Sequence, residues 1–267
     1  MSSPNPNAEP DYLDVGTGVE SRRIAMRLLP ARDSASLPSL VWLGGYRSDM
    51  AGTKAVELER HAEGTGAACI RFDYSGHGAS GGAFTDGTIS RWLEESLAVV
   101  DHVNPDRMVL IGSSMGGWIA LRLIAELRAR GEGGRIAGLV LIAPAPDFTS
   151  ELIEPNLTDA ERTSLAERGY FEEPTPYGPD PNVYTAALIE DGRQNRVLAG
   201  IIETGCPVHI LQGMQDPDVP YTHALKLMEH LPSDDVVMTL IRDGDHRLSR
   251  PDDIERILIA VDAMSAG

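Results

Sequence analysis

With 267 residues the chain has room for one large domain or two small ones, and a doubly wound α/β domain with a lid needs no second core. Apolar side chains at 42% and charged ones at 24% are ordinary for a soluble globular protein. The formal charge of −17, from 40 acidic against 23 basic residues, repels nucleic-acid phosphates and anionic membranes, so neither is an expected partner.

Two cysteines, Cys69 and Cys206, each head an apolar run and read first as small buried side chains. Neither has a metal-type spacing, so no metal site and no disulfide framework are expected. Residues 1–20 are polar, proline-containing and acidic. They lack the basic start and apolar stretch of a signal peptide and the arginine-rich character of a transit peptide. No segment approaches the roughly 18 consecutive apolar residues of a membrane span. A cytoplasmic, reducing location is the resulting expectation.

In chain order, residues 1–18 read as a flexible tail and 19–267 as the folded domain. Strands are expected at Ile24–Leu29, Leu40–Leu43, Ala68–Phe72, Met108–Ile111, Gly138–Ile142, Val208–Leu211 and Val236–Ile241. Several are continuous apolar runs, as strands covered on both faces are, which points to a parallel sheet between helices. Helices are expected at Thr53–Glu63, Ile89–Val103, Gly117–Arg130 and Tyr221–His230, with a last one from Pro251 that sets Ile254, Ile257, Leu258 and Val261 on one stripe. Strand then helix, repeated, implies right-handed crossovers and a doubly wound sheet. Residues 146–198 break the rhythm. They offer no good strand candidate, carry a capping box (Thr158 with Glu161), and run into Pro174, Pro176, Pro179 and Pro181. A small helical lid over the site is expected there.

Gly112-Ser113-Ser114-Met115-Gly116 is a G-x-S-x-G sequence between a buried strand and a helix. Such a serine sits on a tight strand-to-helix turn, the nucleophile elbow of the α/β-hydrolase fold, with its Oγ projecting above the sheet. The motif alone is weak, since Gly78-Ala79-Ser80-Gly81-Gly82 repeats it. That copy follows no strand and precedes no helical pattern. Context therefore selects Ser114 and leaves Ser80 in a glycine-rich loop beside the site.

A serine nucleophile needs a neutral imidazole base and a carboxylate to orient it, in the chain order serine, acid, histidine. Asp216, in the first turn after the strand from Val208, is the preferred acid, with Asp218 as the alternative. His246 is the histidine that follows the last strand. His61, His102 and His230 lie near helix ends, His209 within a strand and His223 at a helix start, where structural roles are usual. His77 precedes the serine, the wrong order for a base, and is read as a pocket-lining residue. Oxyanion donors are expected at the Met115 N–H and, from Gly44-Gly45-Tyr46, the Tyr46 N–H. Arg47 and Arg247 flank the two loops as candidates to receive a substrate carboxylate, with surface salt bridging as the other reading.

Gly45-Tyr46 with Gly52-Thr-Lys-Ala55, Cys69-Ile-Arg-Phe-Asp-Tyr-Ser-Gly76, the elbow through Trp118, Gly213-Met-x-Asp216 and Asp245-His-Arg247 occur in that order. Together they resemble the α/β-hydrolase branch that contains the mitochondrial palmitoyl-protein thioesterase, also called the mycophenolic acid acyl-glucuronide esterase. The resemblance implies a Ser114, Asp216, His246 triad acting on acyl esters or thioesters without a cofactor. It departs in the lid, in the absence of a basic targeting segment, and at His77, where a small apolar residue is expected. Serine at 114 argues against dehalogenases and epoxide hydrolases, which carry aspartate there, and dienelactone hydrolases, which carry cysteine. A cofactor-free perhydrolase, a carbon–carbon bond hydrolase and a non-catalytic binding protein of the same fold remain as alternatives.

Overall fold

The computed structural model describes residues 9–32, 37–176, 178–232 and 235–266. An eight-stranded sheet runs through it in the order β1-β2-β4-β3-β5-β6-β9-β10. The strands are β1 (Asp11–Val15), β2 (Arg22–Leu29), β3 (Ser39–Leu43), β4 (Cys69–Phe72), β5 (Met108–Ser113), β6 (Ile136–Ile142), β9 (Val208–Gly213) and β10 (Val236–Ile241). Only β2 runs against its neighbours; every pair from β4 across to β10 is parallel.

Helices α1 (Thr53–Thr65), α2 (Ile89–Val103), α3 (Met115–Ala129), α6 (Tyr221–Glu229) and α7 (Pro251–Ser265) cover both faces. Strand β5 shows why its sequence is continuously apolar. Met108 and Leu110 belong to the core shared with α2, α3 and α6, whereas Val109 and Ile111 belong to the core shared with α1 and α7. With alternate side chains buried on opposite faces, no position is left for a polar residue.

Two expectations are corrected. The stretch read as a tail to residue 18 contains β1, paired antiparallel to β2 with Val15 buried. Its five residues, Asp-Tyr-Leu-Asp-Val, are too few to stand out from a polar leader. Residues 1–8 of that expected tail lie outside the described residues. The region expected as a small helical lid without strands also holds a two-stranded sheet, β7 (Tyr170–Glu173) with β8 (Asn182–Thr185), between α4 (Asp159–Arg168) and α5 (Ala186–Gln194). Each strand has four residues, and Phe171 pairs with Tyr184. The capping box is present: Thr158 accepts from the Glu161 N–H and the Glu161 carboxylate accepts from the Thr158 N–H. At the base of the lid the buried Asp147 carboxylate accepts the Val197 and Leu198 N–H groups at 2.9 and 2.8 Å, tying the two ends of the insertion together.

Candidate active site

Ser114 lies one residue beyond β5 with φ 55° and ψ −119°, a backbone conformation that L residues avoid. The flanking glycines permit it. A Cβ on Gly116 would stand 2.0 Å from the Leu43 carbonyl oxygen, and one on Gly112 would stand 2.5 Å from the Gly116 oxygen. With those Cβ atoms absent, α3 starts directly under β3 and lifts the serine above the carboxyl ends of the strands.

The turns after β9 and β10 bring up the other two groups. His246 Nε2 lies 3.1 Å from Ser114 Oγ, and His246 Nδ1 lies 2.8 Å from Asp216 Oδ2. Asp216 is itself held: its Oδ1 accepts the Asp218 and Val219 N–H groups at 2.9 and 2.8 Å, and the buried Gln212 amide donates to Oδ2 at 3.1 Å. Between the two candidate acids, Asp216 bonds the ring, while Asp218 contributes a backbone donor and lines an adjoining cavity. Ligand-type atoms of Asp216, Asp218 and His246 fall within 4.8 Å of one another. A cation placed there would compete for the ring nitrogen that Asp216 already holds.

Across from the elbow, Gly44–Arg47 turns out of β3. A Cβ on Gly45 would come within 3.3 Å of Ser114 Cβ, so the bare backbone packs against the serine. Among the described residues no acceptor engages the Tyr46 or the Met115 N–H. Both donors therefore stay open beside Ser114. The Tyr46 ring stacks on Tyr184 of the lid (centroids 5.4 Å apart, planes 9° apart), and its hydroxyl donates to the Val183 carbonyl at 2.5 Å.

Two cavities meet at Tyr46, Ser114 and His246. One, about 460 Å³, is walled by Met115, Phe148, Leu152, Leu157, Phe171 and Val219, with Glu161, Glu173 and Asp218 also in its lining. Burial, reinforced by Glu161 and Asp218, raises the Glu173 carboxyl above its usual range. The other, about 440 Å³, is lined by three cationic side chains, Arg47, Lys54 and Arg247, together with Asp49 and Asp180. Arg47 also donates to the Pro181 carbonyl at 2.7 Å. Lys54, from the first turn of α1, donates to the Arg247 carbonyl next to His246; burial pushes its ammonium down to about 8, with Arg247 adding and Asp245 and Asp253 opposing. Lys54 carried no signal of its own in the sequence, since a lysine in a first helical turn reads as surface.

His77 does not line either cavity, which corrects its reading as a substrate contact. It is buried behind the Tyr46 loop among Tyr74, Phe84 and Trp92. The decoy serine is structural: Ser80 Oγ donates to the Asp73 carbonyl and accepts the Ala25 N–H, stitching its loop to β2. Both cysteines are buried free thiols, pushed up by burial to about 12 for Cys69 and about 11 for Cys206.

A family profile described as "Alpha/beta hydrolase family" matches residues 28–257. The chain belongs to that family. The hydrolase is 31% identical over 228 residues to the human protein named palmitoyl-protein thioesterase ABHD10, mitochondrial, a match covering 84% of this chain and 72% of the relative. Among solved structures, a protein from Agrobacterium vitis S4 named as a hydrolase is 65% identical with a TM-score of 0.93, covering 96% of this chain and 98% of that one. The mouse alpha/beta hydrolase domain-containing protein 10 is 30% identical with a TM-score of 0.82, over 96% and 98% of the two chains. These relatives support hydrolase activity on esters or thioesters.

Proposed function

We propose that this α/β hydrolase is a serine carboxylesterase or thioesterase that works through an acyl-enzyme on Ser114. The observation that carries the reading is the unbroken chain Asp216–His246–Ser114, opening between two cavities beside two uncommitted backbone N–H groups. The His246 Nδ1–H donates to Asp216, which leaves the Nε2 lone pair to take the Ser114 proton as Oγ bonds to the acyl carbon. The Tyr46 and Met115 N–H groups meet the oxygen as it becomes an anion, and Asp216 steadies the imidazolium. His246 then protonates the leaving oxygen or sulfur. Water, deprotonated by the same ring, attacks the acyl carbon and releases Ser114 and the carboxylic acid.

In this reading the cavity walled by Met115, Phe148, Leu152, Leu157, Phe171 and Val219 receives the acyl group. The human relative's name, a palmitoyl-protein thioesterase, agrees with an apolar acyl chain there. The cation-lined cavity receives the leaving group and favours one that carries a negative charge.

Ser114→Ala is expected to cut hydrolysis of a short p-nitrophenyl ester by about 10⁴-fold or more. Its unfolding midpoint should stay at the wild-type value, and a fluorophosphonate probe should label Ser114 only in the wild type. Turnover close to wild type in this variant would refute the mechanism. In the same assays, Arg47→Ala should slow esters with an anionic leaving group several times more than neutral ones, a ratio near one refuting the leaving-group assignment.

A further inference from the structure

We propose that His77 is a positioning residue for the oxyanion hole, holding the Tyr46–Arg47 peptide in place through an acceptor bond from its Nε2 to the Arg47 N–H. This rests on the Ser114 acyl-enzyme proposed above. Gly45 O accepts the Ser48 N–H at 3.1 Å, which makes Tyr46 and Arg47 the two central residues of a β-turn. Arg47, and not Tyr46, has a positive φ, 58°. That is the type II pattern, in which the second central position favours glycine and arginine is strained. The relaxed alternative for a non-glycine residue is the type I turn, in which the Tyr46–Arg47 peptide is flipped. Such a flip, a change in Tyr46 ψ and Arg47 φ, would turn the Tyr46 carbonyl towards His77 in place of the Arg47 N–H and release the turn that presents the Tyr46 N–H.

His77 opposes the flip. Its Nδ1–H donates to the Ser75 carbonyl at 3.1 Å, which fixes the tautomer and points the Nε2 lone pair at the Arg47 N–H, also 3.1 Å away. The ring is immobilised edge-on among Tyr74, Phe84 and Trp92, with centroids at 5.7, 5.1 and 5.3 Å. Burial lowers its pKa to about 4, with the charge of Arg47 adding and the Ser75 bond and Asp49 opposing, so the acceptor persists at neutral pH. The far end of the same loop is tied independently: Asp73 accepts the Met50 N–H at 2.6 Å and the Ala79 N–H at 2.8 Å. The loop that carries His77 and the loop that carries Tyr46 are thus joined at two points, through His77 at Arg47 and through Asp73 at Met50.

The test compares two amides. In His77→Asn the amide sits where Nδ1 was, so it can keep the Ser75 bond but cannot reach Arg47. In His77→Gln the longer side chain puts an acceptor where Nε2 was. The Asn variant is expected to lose about 10- to 100-fold in kcat, as for a misplaced oxyanion donor, with little change in KM. Inhibition by a trifluoromethyl ketone, whose adduct places an oxyanion in the hole, should weaken by the same factor, and the Gln variant should recover most of both. His77→Phe, which fills the aromatic site without an acceptor, replaces Asn if that variant does not fold. The inference is overturned if the folded acceptor-free variant keeps its kcat, if its loss lies in KM with ketone inhibition intact, or if a folded Gln variant recovers nothing. Failure of the Ser114→Ala test would remove the proposed mechanism itself. Loss of activity in Ser114→Ala with a fully active His77→Asn would remove only this inference.

Discussion

The sheet and the lid build the same site by opposite means. Strand β5 is buried at all six positions, and α3 buries ten of its fifteen residues, whereas α4 in the lid buries none. Ser114, Asp216 and His246 all stand on the first kind of structure, in turns anchored at strand ends. The cavity walls and the stack on Tyr46 come partly from the second kind. Geometry that must hold to a fraction of an ångström rests on close packing, while the part that shapes the substrate cavity depends on a few caps and one hairpin.

The largest break in that comparison comes from Gly116→Ala. The added Cβ would sit 2.0 Å from the Leu43 carbonyl, backbone against backbone, so neither side yields by changing rotamer. Urea unfolding should show a loss of more than about 3 kcal/mol, at or beyond the upper end for overpacked cores. A shift under about 1 kcal/mol would mean that the elbow tolerates slack.

Acid titration sharpens the comparison on the sheet side. The His77 pKa of about 4, set first by burial, lies below the reference of about 6.5, so the unfolded chain binds a proton there that the folded protein refuses. The stabilisation is complete above the reference value and is lost as pH falls towards 4. Burial lowers the pKa of His209 and His223 as well, so the comparison must be made against a variant. Between pH 7 and pH 4.5 the wild type should lose about 2 kcal/mol more unfolding free energy than His77→Gln. Parallel acid limbs would show that His77 carries no such penalty.

The smallest effect is expected in the lid. Thr158→Ala removes the cap of α4, an exposed helix end, and should lower stability by about 1 kcal/mol or less. Amide hydrogen exchange should already be faster throughout α4 than in α3 in the wild type, and a cap variant should widen the gap. Equal protection in the two helices would erase the distinction drawn above.

The legibility of the molecule in its sequence follows the same line. Ile89–Val103 and Val236–Ile241 were readable to the residue, the helix because its apolar stripe is what single-sided burial demands and the strand because its six residues are an unbroken β-favouring run. Ser114 was separable from Ser80 by its strand and helix neighbours, and chain order selected His246. By contrast, β1 and the β7–β8 hairpin are four or five residues long with one buried residue in each strand, so their pattern is too short to announce them. Lys54 and the true place of His77 were out of reach for a different reason: what each touches is supplied by segments 193 and 30 residues away.

The sequence alone determined the doubly wound sheet, the elbow serine and the histidine after the last strand, since local periodicity and turn chemistry encode where a chain is buried and where it bends. Only the tertiary structure decided that Asp216 bonds the ring, with Asp218 beside it as a backbone donor, that Lys54 faces the cation-lined cavity, and that His77 stands behind the Tyr46 loop. Those outcomes depend on which side chains from distant turns arrive within about 3 Å of one another, a distance at which hydrogen bonds form and which no single segment of the chain can specify.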